Sequence, residues 1–325
     1  MEFGLVLPTE HNRDRDPTAC VQTITDQARR AETAGFDSVW VGEHHFTDRN
    51  YFENFQLLSY LAGVTDEIGL GTAVCLAPLH NPAALAERVA TLDVLSDGRF
   101  TFGCALGYRP TEFDVFGVDP AKRVPRLLDA VELSRRLWAE DDVTFEGREI
   151  AVENVSVNPK PVQSGGPDIW LGGGVDAAVE RAAAHGDAWL PGPATPRDEL
   201  ETLYETYDSA CEKAPSVRPI WRDLFVAESR DAAIDRAKPA LVEKYESYAD
   251  WGAEGGDSDF AAYFEGFADA RLCLGSPDDV IETIEAYREA FGTDYLLFRT
   301  QWPGMDDDIA TSSLELFCED VLPSF

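Results

Sequence analysis

The segment IWLGGGVDAAVERAAAHGDAWLP, residues 169–191, decides the fold. Ile169 to Gly172 is a continuous apolar run, the pattern of a strand buried on both faces. A glycine turn leads directly into a helix from Asp176 to His185, which Gly186 stops. A second apolar strand, Ala188 to Pro191, follows at once. Strand, helix and strand in immediate succession predict a parallel sheet with helices on its outside.

The same order recurs on either side. Upstream strands are predicted in FGLVLP (Phe3 to Pro8), SVWVGEHH from Ser38, IGLGTAV (Ile68 to Val74) and FTFGCALG (Phe100 to Gly107). Downstream they are Trp221 to Ala227 and Tyr295 to Arg299. Asp16-Pro17, Asn81-Pro82 and Ser276-Pro277 each pair a capping side chain with a proline at the first helical position, where its missing N–H costs nothing. Gly35, Gly98 and Gly292 close the helices these residues open. Further helices are expected at Val124 to Ala139, after Thr195-Pro196, from Ser229, and from Ile309 to Val321. Eight strands, nearly all followed by a helix, predict a (β/α)8 TIM barrel formed by a single domain over residues 1–325. A doubly wound open sheet is the alternative, weakened because no GxGxxG follows the first strand. Two segments break the alternation and read as insertions: a hairpin within 141–163, turning at Glu146-Gly147, and the polar, glycine-rich stretch 251–259, read as a mobile loop.

Composition narrows the partners. Sixty acidic residues against 27 basic give a formal net charge of -33, which repels nucleic acid and anionic lipid. Only five basic residues are lysines, and an acidic, lysine-poor surface on an ordinary core reads as adaptation to high salt. The six cysteines are dispersed and form no CxxC pair, so buried free thiols in a reducing cytoplasm are expected. Neither a signal peptide nor an apolar stretch of membrane-spanning length is evident.

In a barrel of this kind the active site lies at the carboxyl ends of the strands. Four of the five histidines, His11, His44, His45 and His80, follow the first three strands. Glu43, His44 and His45 are the candidate catalytic residues. Neighbouring strand residues point to opposite faces, and neither an HxH nor a carboxylate pair completes a ligand set, so no metal is expected. The Gly172-Gly173-Gly174 turn, opening a helix at Val175, is a candidate phosphate cradle: its free N–H groups and the helix's positive end favour an anion. Arg109 is the candidate extra positive charge. Phe46, Tyr108, Trp189 and Trp302 are candidates to line an apolar pocket.

The blocks MEFGLVLPTE, GFDSVWVGEHHFT, IGLGTAV, ERVATLDVLSDGRFTFG, EFDVFGVD and SLELFCEDVLPSF, taken together in this order, resemble the bacterial luciferase-like monooxygenase family, the luciferase α subunit in particular. The resemblance implies a dimeric (β/α)8 barrel that binds reduced FMN or, in a related branch, the deazaflavin F420. It places His44 beside the flavin ring, where it hydrogen-bonds or exchanges a proton with the oxygen-bearing flavin. It places a non-proline cis peptide at Ala73-Val74, after Thr72, beneath the ring, and the flavin phosphate at Gly173, Gly174 and Val175. The family's Cys-Arg pair in the fourth strand is Ala105-Leu106 here, so the resemblance implies a non-luminescent member in which Arg109 replaces the lost phosphate charge. The reading that follows is a two-component monooxygenase that takes reduced FMN from a flavin reductase and uses O₂ on a small organic substrate. The alternatives are an F420-dependent hydride-transfer enzyme and a flavin-binding protein without catalysis.

Overall fold

The computed structural model describes residues 1–252 and 260–325. Among them nine strands form one parallel sheet. They are β1 (Glu2–Val6), β2 (Ser38–Val41), β3 (Gly69–Thr72), β4 (Phe100–Cys104), β5 (Ile169–Gly172), β6 (Ala188–Leu190), β7 (Pro219–Val226), β8 (Cys273–Gly275) and β9 (Tyr295–Arg299). Their hydrogen-bonded order is β6-β5-β4-β3-β2-β1-β9-β7-β8. Eight of the nine are the strands read from the sequence. The ninth, β8, is too short to announce itself. It pairs with Leu224–Val226, the second half of β7, whose first half, Pro219–Asp223, pairs with β9. The hydrogen-bonded ladder therefore has two ends, at β6 and β8, and its hydrogen bonds do not by themselves close the expected ring of eight.

The sheet is nonetheless strongly curled, because its inner face packs on itself. The Trp170 ring on β5 lies 4.7 Å from Trp40 on β2 and 5.1 Å from Tyr295 on β9, three strands that are not neighbours. Val6, Leu190 and Leu297 complete this inner cluster. Two glycines make room for it. A Cβ at Gly71 would stand 2.2 Å from the Trp40 ring, and one at Gly4 would stand 2.5 Å from its Nε1. The other face buries a larger apolar core against the helices. With its interior plugged by aromatic rings, the sheet offers a ligand only the rim at the strand ends.

The N-terminal caps behave as read, whereas the helix opened by Asn81 ends at Leu95 on Ser96, two residues before the expected Gly98. Asp16 accepts from the N–H groups of Thr18 and Ala19, Asn81 from those of Ala83 and Ala84, and Ser276 forms a reciprocal capping box with Asp279. Gly35 and Gly292 end their helices in the left-handed conformation, with φ of 92° and 61°. Gly186 stops its helix differently, in extended backbone, where a Cβ would meet three carbonyl oxygens at 3.0–3.3 Å. The expected hairpin is present as Val143–Glu146 against Ala151–Val155. Asp129 ties down its turn by accepting from the backbone N–H groups of Arg148, Glu149 and Ile150. Of the second insertion, Trp251 and Gly252 are placed, and 253–259 lie outside the described residues. All six cysteines are free. Among the described residues no helix is long and apolar enough to cross a membrane.

Candidate active site

The strand ends converge on a cavity of about 210 Å³. Leu7 to Glu10 after β1, Gly42 to His44 after β2, Ala73 and Val74 after β3, Ala105, Gly107 and Tyr108 after β4, and Arg299, Gln301 and Trp302 at the end of β9 contribute to its walls. Tyr248 reaches in from the long helix Arg230–Asp250. The Ala73-Val74 peptide is cis, as the resemblance implied.

His44 stands where four aromatic rings surround it. Tyr51, Tyr108, Tyr248 and Trp251 lie edge-on at 5.5–5.7 Å between centroids. Its Nδ1 donates to Glu112 Oε1 at 3.0 Å. A carboxylate can only accept, so this bond fixes the tautomer and leaves Nε2 as the free ring nitrogen. The same Glu112 oxygen accepts from the His45 backbone N–H at 2.9 Å and from Arg109 at 3.0 Å. Burial alone would raise the Glu112 carboxyl, but these donors, His44 first, hold it below its ordinary value. Sequence reading missed Glu112. Its signal was the Arg109/Glu112 spacing of three at the start of the helix Pro110–Phe116, which puts both on one face.

Arg109 turns inward. Its Nη1 donates to the His45 carbonyl at 2.6 Å as well as to Glu112, and its guanidinium stacks 4.5 Å from the Trp251 ring. It therefore supports His44 from behind and does not line the cavity, contrary to its expected place on a cofactor phosphate. Thr72 is likewise absent from the wall, being fully buried and donating to the Gly103 carbonyl at 2.7 Å, which locks β3 to β4.

Glu43 is a buried hub. It accepts from His45 Nε2 at 2.6 Å, His80 Nε2 at 2.8 Å and the Leu76 N–H at 2.5 Å. Burial would raise its carboxyl, but the two imidazoles override that and hold it well below the ordinary carboxylate range. Burial would lower His45 in turn, and the bond to Glu43 raises it instead. A histidine raised in the folded state gives stability that is fully present below its unfolded value of about 6.5 and is lost as pH rises through the folded value. Glu43→Gln is accordingly expected to cost about 1–3 kcal/mol at about pH 6. It should also flatten the decline in stability toward about pH 8.5 relative to wild type. Denaturant titrations of both proteins at the two pH values measure this, and parallel pH profiles would contradict it.

Glu43, Cys75 and His80 also bring an oxygen, a sulfur and a nitrogen within 4.8 Å of one another. Arg88 donates to His80 Nδ1 at 3.0 Å, which places the remaining ring proton on Nε2 facing Glu43. That nitrogen is a hydrogen-bond donor here, not a ligand.

The glycine turn sits beside the cavity. A Cβ at Gly172 would lie 3.3 Å from the Ala105 methyl and 3.5 Å from Val74 Cγ1. Trp189, expected in the pocket, is buried behind the turn and donates to the Gly173 carbonyl at 2.8 Å. Gly174 and Val175 are exposed, and no side chain caps the helix that begins at Asp176. Of the other aromatic candidates, Tyr108 and Trp302 line the cavity and Phe46 is exposed outside it.

A cavity at the carboxyl ends of parallel strands, a cis peptide in its wall and a carboxylate-held histidine at its centre agree with what the sequence blocks resembled. Residues 1–294 match the sequence profile of the luciferase-like monooxygenases, and the chain belongs to that family. The oxygenase component of flavin-dependent trigonelline monooxygenase from Acinetobacter baylyi is 29% identical over 348 residues, covering 100% of this chain and 96% of that one. The fold is shared with monooxygenase RslO1 from Streptomyces bottropensis, with a TM-score of 0.89 at 24% identity over 100% of this chain and 99% of that one. At 20% identity, and with the same coverage, it is also shared with two further structures. One is the oxygenating constituent of 3,6-diketocamphane monooxygenase from Pseudomonas putida in complex with FMN, TM-score 0.81. The other is the F420-dependent tetrahydromethanopterin reductase of Methanopyrus kandleri, TM-score 0.78.

Proposed function

We propose that this protein is the oxygenase component of a two-component flavin monooxygenase, built on the family's (β/α)8 barrel and receiving reduced FMN from a separate reductase. The observation that carries the reading is His44, locked by Glu112 and facing a wall of small residues, Ala73, Val74, Ala105 and Gly107. That wall bears no charged side chain and suits one face of a flat ring. The uncapped amides at Gly174 and Val175, which follow Gly172 where it meets Val74 and Ala105, suit the ring's anionic tail. When bound, reduced FMN supplies two electrons to O₂, so that one oxygen atom enters the substrate and the other leaves as water. In this reading His44 Nε2 moves the proton that the reaction requires, Glu112 and Arg109 orient it, and the surrounding aromatic rings exclude water.

The F420 reading needs a basic groove for a long polyanionic tail. Arg126 is held by the carbonyls of Pro78 and His80, and Arg109 by Glu112 and the His45 carbonyl. Near the strand ends this leaves Arg123 and Arg299, too few for such a groove, which favours FMN. Retention of the His44–Glu112 pair argues against a flavin binder without catalysis. The net charge of -33 supports a cytoplasmic protein of a salt-rich cell, and family resemblance supports a single-domain chain that forms a homodimer.

Titration with oxidised FMN, riboflavin, FAD and F420 in high salt tests the assignment. FMN is expected to bind at least about tenfold more tightly than riboflavin through the phosphate. Equal affinity for the two would remove the glycine turn from the site, and selective F420 binding would replace the monooxygenase reading.

A further inference from the structure

With the flavin ring against Ala73, Val74 and Ala105, the rest of the cavity belongs to the substrate, and the inference below rests on that reading. Its remaining walls are largely apolar: Leu7, Tyr51, Trp221, Tyr248 and Trp302. Three charged residues interrupt them, Glu10, Glu43 and Arg299, and Glu43 is taken up by His45, His80 and the Leu76 N–H. Glu10 is met by Arg49 at 3.2 Å, and Arg49 also reaches the more exposed Glu243, so that pair is balanced within itself.

Arg299 is placed differently. Its Nε donates to Asp223 Oδ1 at 2.7 Å. A guanidinium offers five donors, so the fork is incompletely used. Its charge is not cancelled from behind either. Asp223 is a single carboxylate that also accepts from the buried Lys244 Nζ at 2.5 Å and from Tyr245 and Trp302, so Arg299 has only a share of it. The guanidinium lies 5.3 Å from the centre of the Trp221 ring, which fixes its plane. The Trp221 indole N–H, buried in the same wall, has no acceptor among the described residues. Indole nitrogen can only donate. A buried donor without a partner beside an underused guanidinium describes a place for acceptor oxygens.

We propose that Arg299 and the Trp221 N–H form an anion subsite, and that the substrate is an aromatic or otherwise flat organic acid held by its carboxylate. The bidentate fit of guanidinium to carboxylate would fix the acid's orientation toward His44, while the Tyr and Trp rings cover its apolar body. In a chain so strongly acidic, such a subsite must be built from buried cations of this kind.

Binding to the flavin-free protein tests this, using benzoate and the neutral isostere benzamide as probes and isothermal calorimetry in chloride-rich buffer as readout. Benzoate is expected to bind at least about tenfold more tightly than benzamide, and Arg299→Gln to abolish that preference. Trp221→Phe, which keeps the ring and removes the N–H, should weaken benzoate several-fold. Equal binding of the two probes to wild type would overturn the proposal whether or not the variants fold. A loss of FMN-over-riboflavin preference in Arg299→Gln, with benzoate binding retained, would instead assign the guanidinium to the cofactor phosphate. Failure of wild type to bind FMN at all would sink the function reading without touching the benzoate result.

Discussion

His44→Ala is expected to lower substrate oxygenation by about two to four orders of magnitude, the usual contribution of a positioned proton-transfer group. Flavin binding should stay near wild type, because the imidazole edge and not the ring wall is removed. Oxygen consumption without product, appearing as hydrogen peroxide, is the expected residue of the reaction. Glu112→Gln separates position from charge. Its amide oxygen can still accept from His44 Nδ1 and keep the ring in place, but the negative charge is gone, so the loss should be smaller than in His44→Ala. The rival proton carrier is Glu10, a buried carboxyl in the same cavity that burial raises above its ordinary value. Glu10→Gln is the control. Product per reduced flavin, measured for all three variants, decides the matter, and full coupling in His44→Ala with none in Glu10→Gln would transfer the role to Glu10.

Legibility in the sequence followed the range of the interaction. Buried parallel strands are continuous apolar runs, and the Asp-Pro, Asn-Pro and Ser-Pro caps are local chemistry, so eight strands and most helix starts could be read directly. β8 could not, since three residues give no periodicity and its reason to be extended is the second half of β7. At the site, residues that follow strands, His44, Ala73, Val74, Ala105 and Tyr108, were predictable because strand ends define the rim. Those that arrive from elsewhere were not. Glu112 looks like an ordinary acidic residue in a helix's first turn, and only the fold brings its carboxylate to a histidine 68 positions away. Tyr248 and Lys244 sit on a helix with little apolar patterning to announce that one side of it covers a cavity. Arg109 was found but its bonds to the His45 carbonyl and Glu112 were not, because sequence shows a charge and not the direction in which it points.

Asp223→Ala is expected to be the most damaging single truncation for stability. Asp223 is fully buried on β7 and takes four donors: Arg299 Nε at 2.7 Å and Trp302 Nε1 at 3.0 Å on one oxygen, Lys244 Nζ at 2.5 Å and Tyr245 Oη at 2.6 Å on the other. Burial opposes its charge, but Arg299 and Lys244 more than compensate and hold the carboxyl well below the ordinary range. Removing it strands two buried cations, a loss of about 3–5 kcal/mol. At about 2 °C or somewhat less per kcal/mol for a chain of this size, Tm should fall by roughly 5–10 °C. The pH dependence carries a definite sign. Burial and Arg299 already pull Lys244 down to about 7, so between that value and its unfolded value near 10.5 the folded state binds fewer protons and gains stability as pH rises. Without Asp223 the ammonium loses its counter-charge and its folded value drops further. The penalty of Asp223→Ala should therefore be larger at about pH 6 than at about pH 8.5, where Lys244 is mostly neutral in both proteins. Adding Lys244→Met to Asp223→Ala should remove that pH dependence and recover part of the stability, because one of the stranded charges is gone. Denaturant unfolding followed by circular dichroism in high salt measures all of these quantities. An Asp223→Ala protein within about 1 kcal/mol of wild type would show that the two cations find water, and the charge surplus behind Arg299 would then be absent as well.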